Sequence, residues 1–162
     1  MPSKGSNFNV LSLFDGIACA RLALFDLGID CSYFSSEVDA PAAAVAKANF
    51  PEIVQLGDVR KIDVRNLPKI DLLVGGSPCQ DLSVLKKDGK GLQGEKSKLF
   101  FEYVRILGEA SPSFFLLENV KNKWGEEMDR IVGFKHIEIN SSLFVPQNRP
   151  RWYWTNIRIS GK

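Results

Sequence analysis

Short apolar runs alternate with helix-like segments along the first half of the chain, and this alternation restricts the fold more than any other feature. Phe8 to Phe14, Cys31 to Ser36, Ile53 to Leu56 and Ile70 to Val74 are apolar runs bounded by turn residues, as strands require. Between the first two, Asp15-Gly16-Ile17-Ala18 turns the chain into a helix. Leu22, Leu24, Phe25 and Leu27 supply its apolar face and Gly28 its stop. Asp39 is placed to cap the next helix, with Pro41 in its first turn before the alanine-rich AAAVAKANF. Gly57-Asp58 closes the third strand, and the polar stretch Val59 to Lys69 leads to the fourth. Strand–helix pairs of about thirty residues predict an α/β fold, a mostly parallel sheet with helices on both faces.

A length of 162 residues suits one domain with a single core, and we expect residues 1–162 to form it. The net charge is only +2, so any affinity for nucleic acid must come from local clusters. No apolar run reaches membrane-spanning length, and the polar Met1 to Asn7 lacks the apolar core of a signal peptide. Cys19, Cys31 and Cys79 are an odd set without metal-ligand spacing, which points to a reducing compartment and no metal site. His136 is the single histidine and is expected to be structural.

The chemistry is expected at Gly75-Gly76-Ser77-Pro78-Cys79-Gln80-Asp81-Leu82-Ser83, directly after the Ile70–Val74 strand. Two glycines allow a sharp turn and close approach of another molecule. In open α/β sheets, ligands sit outside the carboxyl ends of the strands, so Cys79 is placed like a nucleophile. A free cysteine is also a common small core residue, and this loop alone leaves both readings open. Three successive strands end in acids, Asp15, Glu37 and Asp58, which lines carboxylates along one sheet edge. Such groups accept hydrogen bonds from ribose hydroxyls or amino groups. Gly16-Ile17-Ala18-Cys19-Ala20 has one glycine where G-x-G-x-x-G needs three, so a pyrophosphate is poorly served. S-adenosylmethionine, an adenosine with a sulfonium and no phosphate, suits the edge better.

Leu85 to Lys96 is glycine-rich and basic, with too little apolar content to pack, and is expected to be a mobile loop beside the site. A helix from Ser97 to Ala110 follows, with Leu99, Phe100, Tyr103, Ile106 and Leu107 on one face. The strand Ser113 to Leu117 ends at Glu118-Asn119-Val120. Burial raises a carboxyl pKa, so Glu118 in an apolar setting would be an acid able to donate a hydrogen bond. Lys121 to Arg130 reads as loop and short helix, and Phe134 to Asn140 as an edge strand. Arg149 and Arg151 project to one face of the extended segment leading into the aromatic strand Trp152 to Ile157. Paired guanidinium forks suit a planar or phosphorylated partner. Trp152–Trp154 is a candidate exposed face that wants a partner.

FDGIA at 14–18, GGSPCQDLS at 75–83, LFFE at 99–102, ENV at 118–120 and QNRPR at 147–151 together resemble the DNA cytosine-5 methyltransferases. The wording is nearest to the de novo animal branch. The resemblance implies a Rossmann-like S-adenosylmethionine-dependent methyltransferase fold with an antiparallel strand near the C-terminus. It implies a cytosine swung out of double-stranded DNA, a Cys79 thiolate adding to carbon 6, and methylation at carbon 5. Glu118 would hold the ring's N3 and amine, Arg151 would lie close to the base, and Arg149 near the nucleophile loop. The cofactor S-adenosyl-L-methionine, leaving as S-adenosyl-L-homocysteine, would meet Phe14, Asp15, Gly16, Ile17, Ala18, Glu37, Val38, Asp58, Val59, Pro78 and Leu99. Gln80, Ser83, Lys86, Lys87 and Asn119 are the implied DNA contacts. A family setting of this kind, including restriction-modification, is intracellular, and cytoplasmic for a bacterial or phage protein.

Relatives continue past QNRPR into a target-recognition region and a final segment completing the pocket. The chain is therefore expected to be a catalytic core whose recognition part, or a second chain supplying it, lies elsewhere. The alternative is a regulatory module that binds cofactor or partner without catalysing. A thiol hydrolase is the weaker third reading, for want of a histidine partner to Cys79.

Overall fold

The computed structural model describes residues 8–78 and 98–158. Cys79, Gln80, Ser83, Lys86, Lys87 and the basic loop lie outside the described residues. Seven strands form one sheet in the order β3-β2-β1-β4-β5-β7-β6. They are β1 (Asn9–Leu13), β2 (Ser32–Ser36), β3 (Val54–Gln55), β4 (Leu72–Gly76), β5 (Phe114–Val120), β6 (Ile137–Asn140) and β7 (Pro150–Thr155). The first five run parallel, and β7 pairs antiparallel with both β5 and β6. The parallel sheet and the β6 edge strand match the sequence reading.

Successive side chains on a strand point to opposite faces, and both faces here are apolar. Leu11 and Leu13 of β1, with Leu73 of β4, enter one core with Phe100, Tyr103 and Ile106 of α3 (Lys98–Ala110). Met128 and Val132 of α4 (Gly125–Val132) join the same core. Val10 and Leu72 face the other way, into a second core with Leu24 of α1 (Cys19–Asp26) and Ala46 of α2 (Ala40–Asn49). Helices therefore cover both faces, as the alternation of runs requires.

Three expectations are corrected. Leu22, Phe25 and Leu27 are 49%, 62% and 73% exposed, so they are not the buried face of α1. The helix instead turns Arg21 and Leu24 inward. Arg21 is tolerated there because Glu52 Oε1 accepts its Nη2 at 2.8 Å and the guanidinium lies over the Phe50 ring. Asp39 sits at the N-cap of α2 but makes no capping bond with its side chain. Glu37 Oε1 accepts the backbone N–H groups of Val38 and Asp39 just ahead of the helix, each at 2.8 Å.

The third correction concerns the aromatic strand. Trp152 and Trp154 are 8% and 0% exposed, so they are core and not a docking face. Trp154 Nε1 donates to Asp129 Oδ1 at 2.7 Å, and Trp152 Nε1 donates to Glu138 at 3.2 Å. His136 stacks on Trp152 with centroids 4.1 Å apart, its Nδ1 2.8 Å from the same Asp129 oxygen. Burial pushes the Asp129 carboxyl up, but hydrogen bonds from His136 and Trp154 outweigh it and hold the group below its ordinary value.

Gly125 fits against this cluster only because it lacks a side chain. A Cβ there would collide with the Trp152 ring. We predict that Gly125→Ala lowers stability by about 1–3 kcal/mol, since overpacking exceeds the helix-propensity gain of alanine. Denaturant unfolding measures it, and an unchanged midpoint would contradict the packing argument.

Candidate active site

The C-terminal ends of the parallel strands meet at one edge, and the predicted residues divide into two groups along it. A cavity of about 580 Å³ opens between β1, β2, β4 and α3. Phe14, Glu37, Val38, Asp58, Val59, Pro78 and Leu99 line it, seven of the residues expected to meet a cofactor. Ser36, Arg60, Gly76, Lys98 and Glu102 line it as well and were not anticipated. Glu102 lies three residues beyond Leu99 on α3, so helical spacing from Leu99 was the signal for it, and Lys98 in turn lies four before Glu102. A cavity of this size suits a nucleoside-sized ligand. A second one, about 660 Å³, lies between Ile62–Arg65 and Arg105–Glu109. Its charges are paired, Asp63 with Arg65 and Arg105 with Glu109, and Arg105 also bonds Glu102 and the Val59 carbonyl of the first cavity.

Asp15, Gly16, Ile17 and Ala18 do not line the cavity; they shape the turn beside it. Phe14, Gly16 and Ala18 all have positive φ, at 57°, 59° and 66°. Gly16 N donates to Glu37 Oε2 at 2.8 Å, which ties the turn to the end of β2. The Asp15 carboxylate accepts from Ser12 Oγ and the Tyr33 hydroxyl. Both bonds fall on Oδ1, and the buried Oδ2 has no hydrogen-bond partner among the described residues. Glu37 keeps acceptor capacity on Oε2, which takes only one protein hydrogen bond of the two a carboxylate oxygen can accept. Asp58 is gripped by Arg60, whose Nη2 lies 2.6 Å from Oδ2. Hydrogen bonds from the Arg60 side chain and backbone hold the Asp58 carboxyl down to about 2.

The second group lies one strand further along. Gly76 pairs with Glu118 across β4 and β5, so the strand that runs into Cys79 ends beside this carboxylate. Arg151 Nε meets Glu118 Oε1 at 2.8 Å. Antiparallel β7 makes this possible, because its first residues lie against the last residues of β5, with Arg151 opposite Val120. Burial raises the Glu118 carboxyl above its ordinary value, and the Arg151 and Arg149 charges only partly oppose this. Arg149 itself is exposed, its backbone N–H held by Asn140 Oδ1 at 2.9 Å.

Asn119 is corrected as a DNA contact. It is 1% exposed, and its Nδ2 donates to Ser77 Oγ at 2.9 Å and to Ser77 O at 3.3 Å. Its side chain fastens the residues leading to Cys79 instead. Gly76 is also constrained, since a Cβ there would stand 2.9 Å from Glu118 Oε2. We predict that Gly76→Ala leaves the melting temperature nearly unchanged, because the carboxylate can swing aside. Any reaction that depends on Glu118 should fall about 10²-fold from the displacement. Wild-type turnover in that variant would show that the carboxylate's place is not critical.

The family described as C-5 cytosine-specific DNA methylase matches residues 8–161. The chain belongs to this family. The orphan methyltransferase M.SPRI of Bacillus phage SPR is 41% identical over 166 residues, covering 92% of this chain and 37% of that protein. The type II methyltransferase M1.ScrFI of Lactococcus lactis subsp. cremoris is 39% identical over 165 residues, covering 93% and 41%. The chain thus spans about two fifths of the length of these relatives. Their phage and bacterial sources correct the expected placement in the animal de novo branch. Among solved structures, a DNA modification methyltransferase encoded within a prophage (E. coli) superposes with a TM-score of 0.73 at 25% identity, over 92% of this chain and 46% of that one. S. pombe Dnmt2 superposes at 0.68 and 20% identity, over 96% and 51%, a likeness of fold. The Rossmann-like methyltransferase fold is therefore established for this chain. Among its described residues, no helix is long and apolar enough to cross a membrane.

Proposed function

We propose that this chain is the catalytic domain, residues 1–162, of an enzyme that methylates carbon 5 of cytosine in double-stranded DNA. What carries the reading is the pairing of Gly76 with Glu118, which sets a half-buried carboxyl ion-paired to Arg151 beside the strand that enters Pro78-Cys79. The Cys79 thiolate adds to carbon 6 of a flipped cytosine, breaking the 5,6 double bond and sending its electrons toward N3. Glu118, when it carries a proton, donates a hydrogen bond to N3 and accepts one from the exocyclic amine, which stabilises the charge arriving on the ring. Carbon 5 becomes nucleophilic and is methylated; loss of its proton then expels the thiolate and restores the double bond. Arg151 orients Glu118, and Arg149 adds positive potential that favours the thiolate.

S-adenosyl-L-methionine, when bound, supplies the methyl group and leaves as S-adenosyl-L-homocysteine. The cavity residues fit it: Glu37 has an acceptor for ribose hydroxyls, and Phe14, Val38, Val59, Pro78 and Leu99 are apolar walls for the base, with Asp58 at the rim and its oxygens taken by Arg60. Gln80, Ser83, Lys86 and Lys87 are proposed to meet the DNA. The relatives carry their remaining length in the same polypeptide, so no separate recognition chain is proposed. The test is to mix the protein with S-adenosyl-L-methionine and duplex DNA carrying 5-fluorocytosine, whose carbon-5 fluorine cannot leave as a proton does. A covalent protein–DNA species on a denaturing gel is expected, and its absence would overturn the reading.

A further inference from the structure

The strain in the first turn has a support that the cofactor reading does not use. Three of five consecutive residues, Phe14, Gly16 and Ala18, adopt positive φ, and two of them are not glycine. A non-glycine residue at such φ is strained and persists only where its surroundings hold it. The holding group is the Asp15 carboxylate. Its Oδ1 accepts from Ser12 Oγ at 2.6 Å and from the Tyr33 hydroxyl at 2.8 Å. Ser12 and Tyr33 are 2% and 1% exposed, so neither hydroxyl can trade this bond for one to bulk solvent. Ser12 comes from β1 and Tyr33 from β2, and the backbone bond from Asp15 N to Ser36 O joins the same two strands at the same point.

Resting on the cofactor reading above, we propose that Tyr33 and Ser12 are positioning residues for the cofactor. Through Asp15 they hold the Phe14–Ala18 turn in its strained form, which keeps Phe14 in the cavity wall and the Gly16 N–H on Glu37. Neither residue touches the cavity. Loss of the Tyr33 hydroxyl frees one of the two donors on Asp15 and lets the turn relax toward ordinary φ values. Glu37 then loses the Gly16 partner that aims its carboxylate at the ribose. The device acts on affinity for the adenosine half of the ligand and not on the chemistry at Cys79.

The experiment measures S-adenosyl-L-homocysteine binding by calorimetry for the wild type, Tyr33→Phe, Ser12→Ala and the double variant. Thr155→Val serves as the control, since it removes a buried-strand hydroxyl bond to Phe115 O far from the cavity. Tyr33→Phe should weaken binding about tenfold, the scale of a hydrogen bond to a charged group. The two single effects should be non-additive, because both hydroxyls serve one oxygen. Thr155→Val should lower the melting temperature without changing affinity. Hydrogen exchange, read without ligand, should quicken at residues 15–18 in Tyr33→Phe and stay unchanged in β5. If the wild type binds and Tyr33→Phe binds within twofold of it, the positioning role is overturned while the cofactor reading stands. If the wild type itself does not bind, the cofactor reading falls, and this inference with it.

Discussion

Serine in place of Cys79 will form no detectable covalent adduct with DNA carrying 5-fluorocytosine, a loss of at least about 10³-fold. A thiol is partly ionised near neutral pH and is intrinsically nucleophilic, whereas an alkyl hydroxyl is neither without a strong adjacent base. The only histidine is committed to Asp129 and stacked on Trp152, so it cannot serve as that base for residue 79. The approach to position 79 is anchored independently of the thiol. Ser77 is held by Asn119, and Pro78 stands in the cavity wall. The serine variant should therefore keep wild-type affinity for S-adenosyl-L-homocysteine while the gel-shifted species disappears. An adduct of wild-type yield would place the nucleophile elsewhere.

Glu118→Gln will slow methyl transfer by about 10²–10⁴-fold, the usual contribution of a positioned acid. Glutamine keeps a similar size and can still pair with Arg151 through its carbonyl, but it cannot hold a transferable proton. Glu118 is not among the cavity residues, so cofactor affinity should change little. The pH dependence has a definite sign. Burial raises the folded-state carboxyl above its unfolded value, so the folded protein keeps this proton to higher pH. Activity that needs the acid is present below the raised pKa and is lost as pH rises through it. That limb should vanish in Glu118→Gln. Ionising the buried group also costs stability above the unfolded pKa, so the variant should be no less stable than the wild type in mild alkali. Single-turnover rates across pH test both statements, and a near-normal rate in the variant would remove Glu118 from the chemistry.

The architecture was legible in the sequence because the cues for a parallel sheet are local. Apolar runs, glycine turns and helical spacing named the strands and helices to within a few residues. The β5 strand ran further than expected, through Val120, because β7 gives Glu118, Asn119 and Val120 backbone partners that no local pattern announces. Orientation was less legible. Leu22, Phe25 and Leu27 have the composition of a buried face, but Glu52, distant in sequence, neutralises Arg21 and lets the helix turn the other way. The tryptophans of β7 were misjudged for the same reason, since their cover comes from α4 and His136. At the site, acids at strand ends marked the edge correctly. Whether each carboxylate faces ligand or protein depended on Tyr33, Ser12 and Arg60, residues that carry no motif of their own.

Glu118 and Arg151 come from strands running in opposite directions and separated by α4 and β6. Their ion pair therefore cannot exist until the last strand has threaded between β5 and β6. Every residue of the cavity lining falls between Phe14 and Glu102, ahead of β5 and β7 in the chain, so the cavity does not need that pair. A refolding chain is therefore expected to recover S-adenosyl-L-homocysteine affinity no later than the Glu118–Arg151 pair, and stopped-flow ligand binding during refolding checks it.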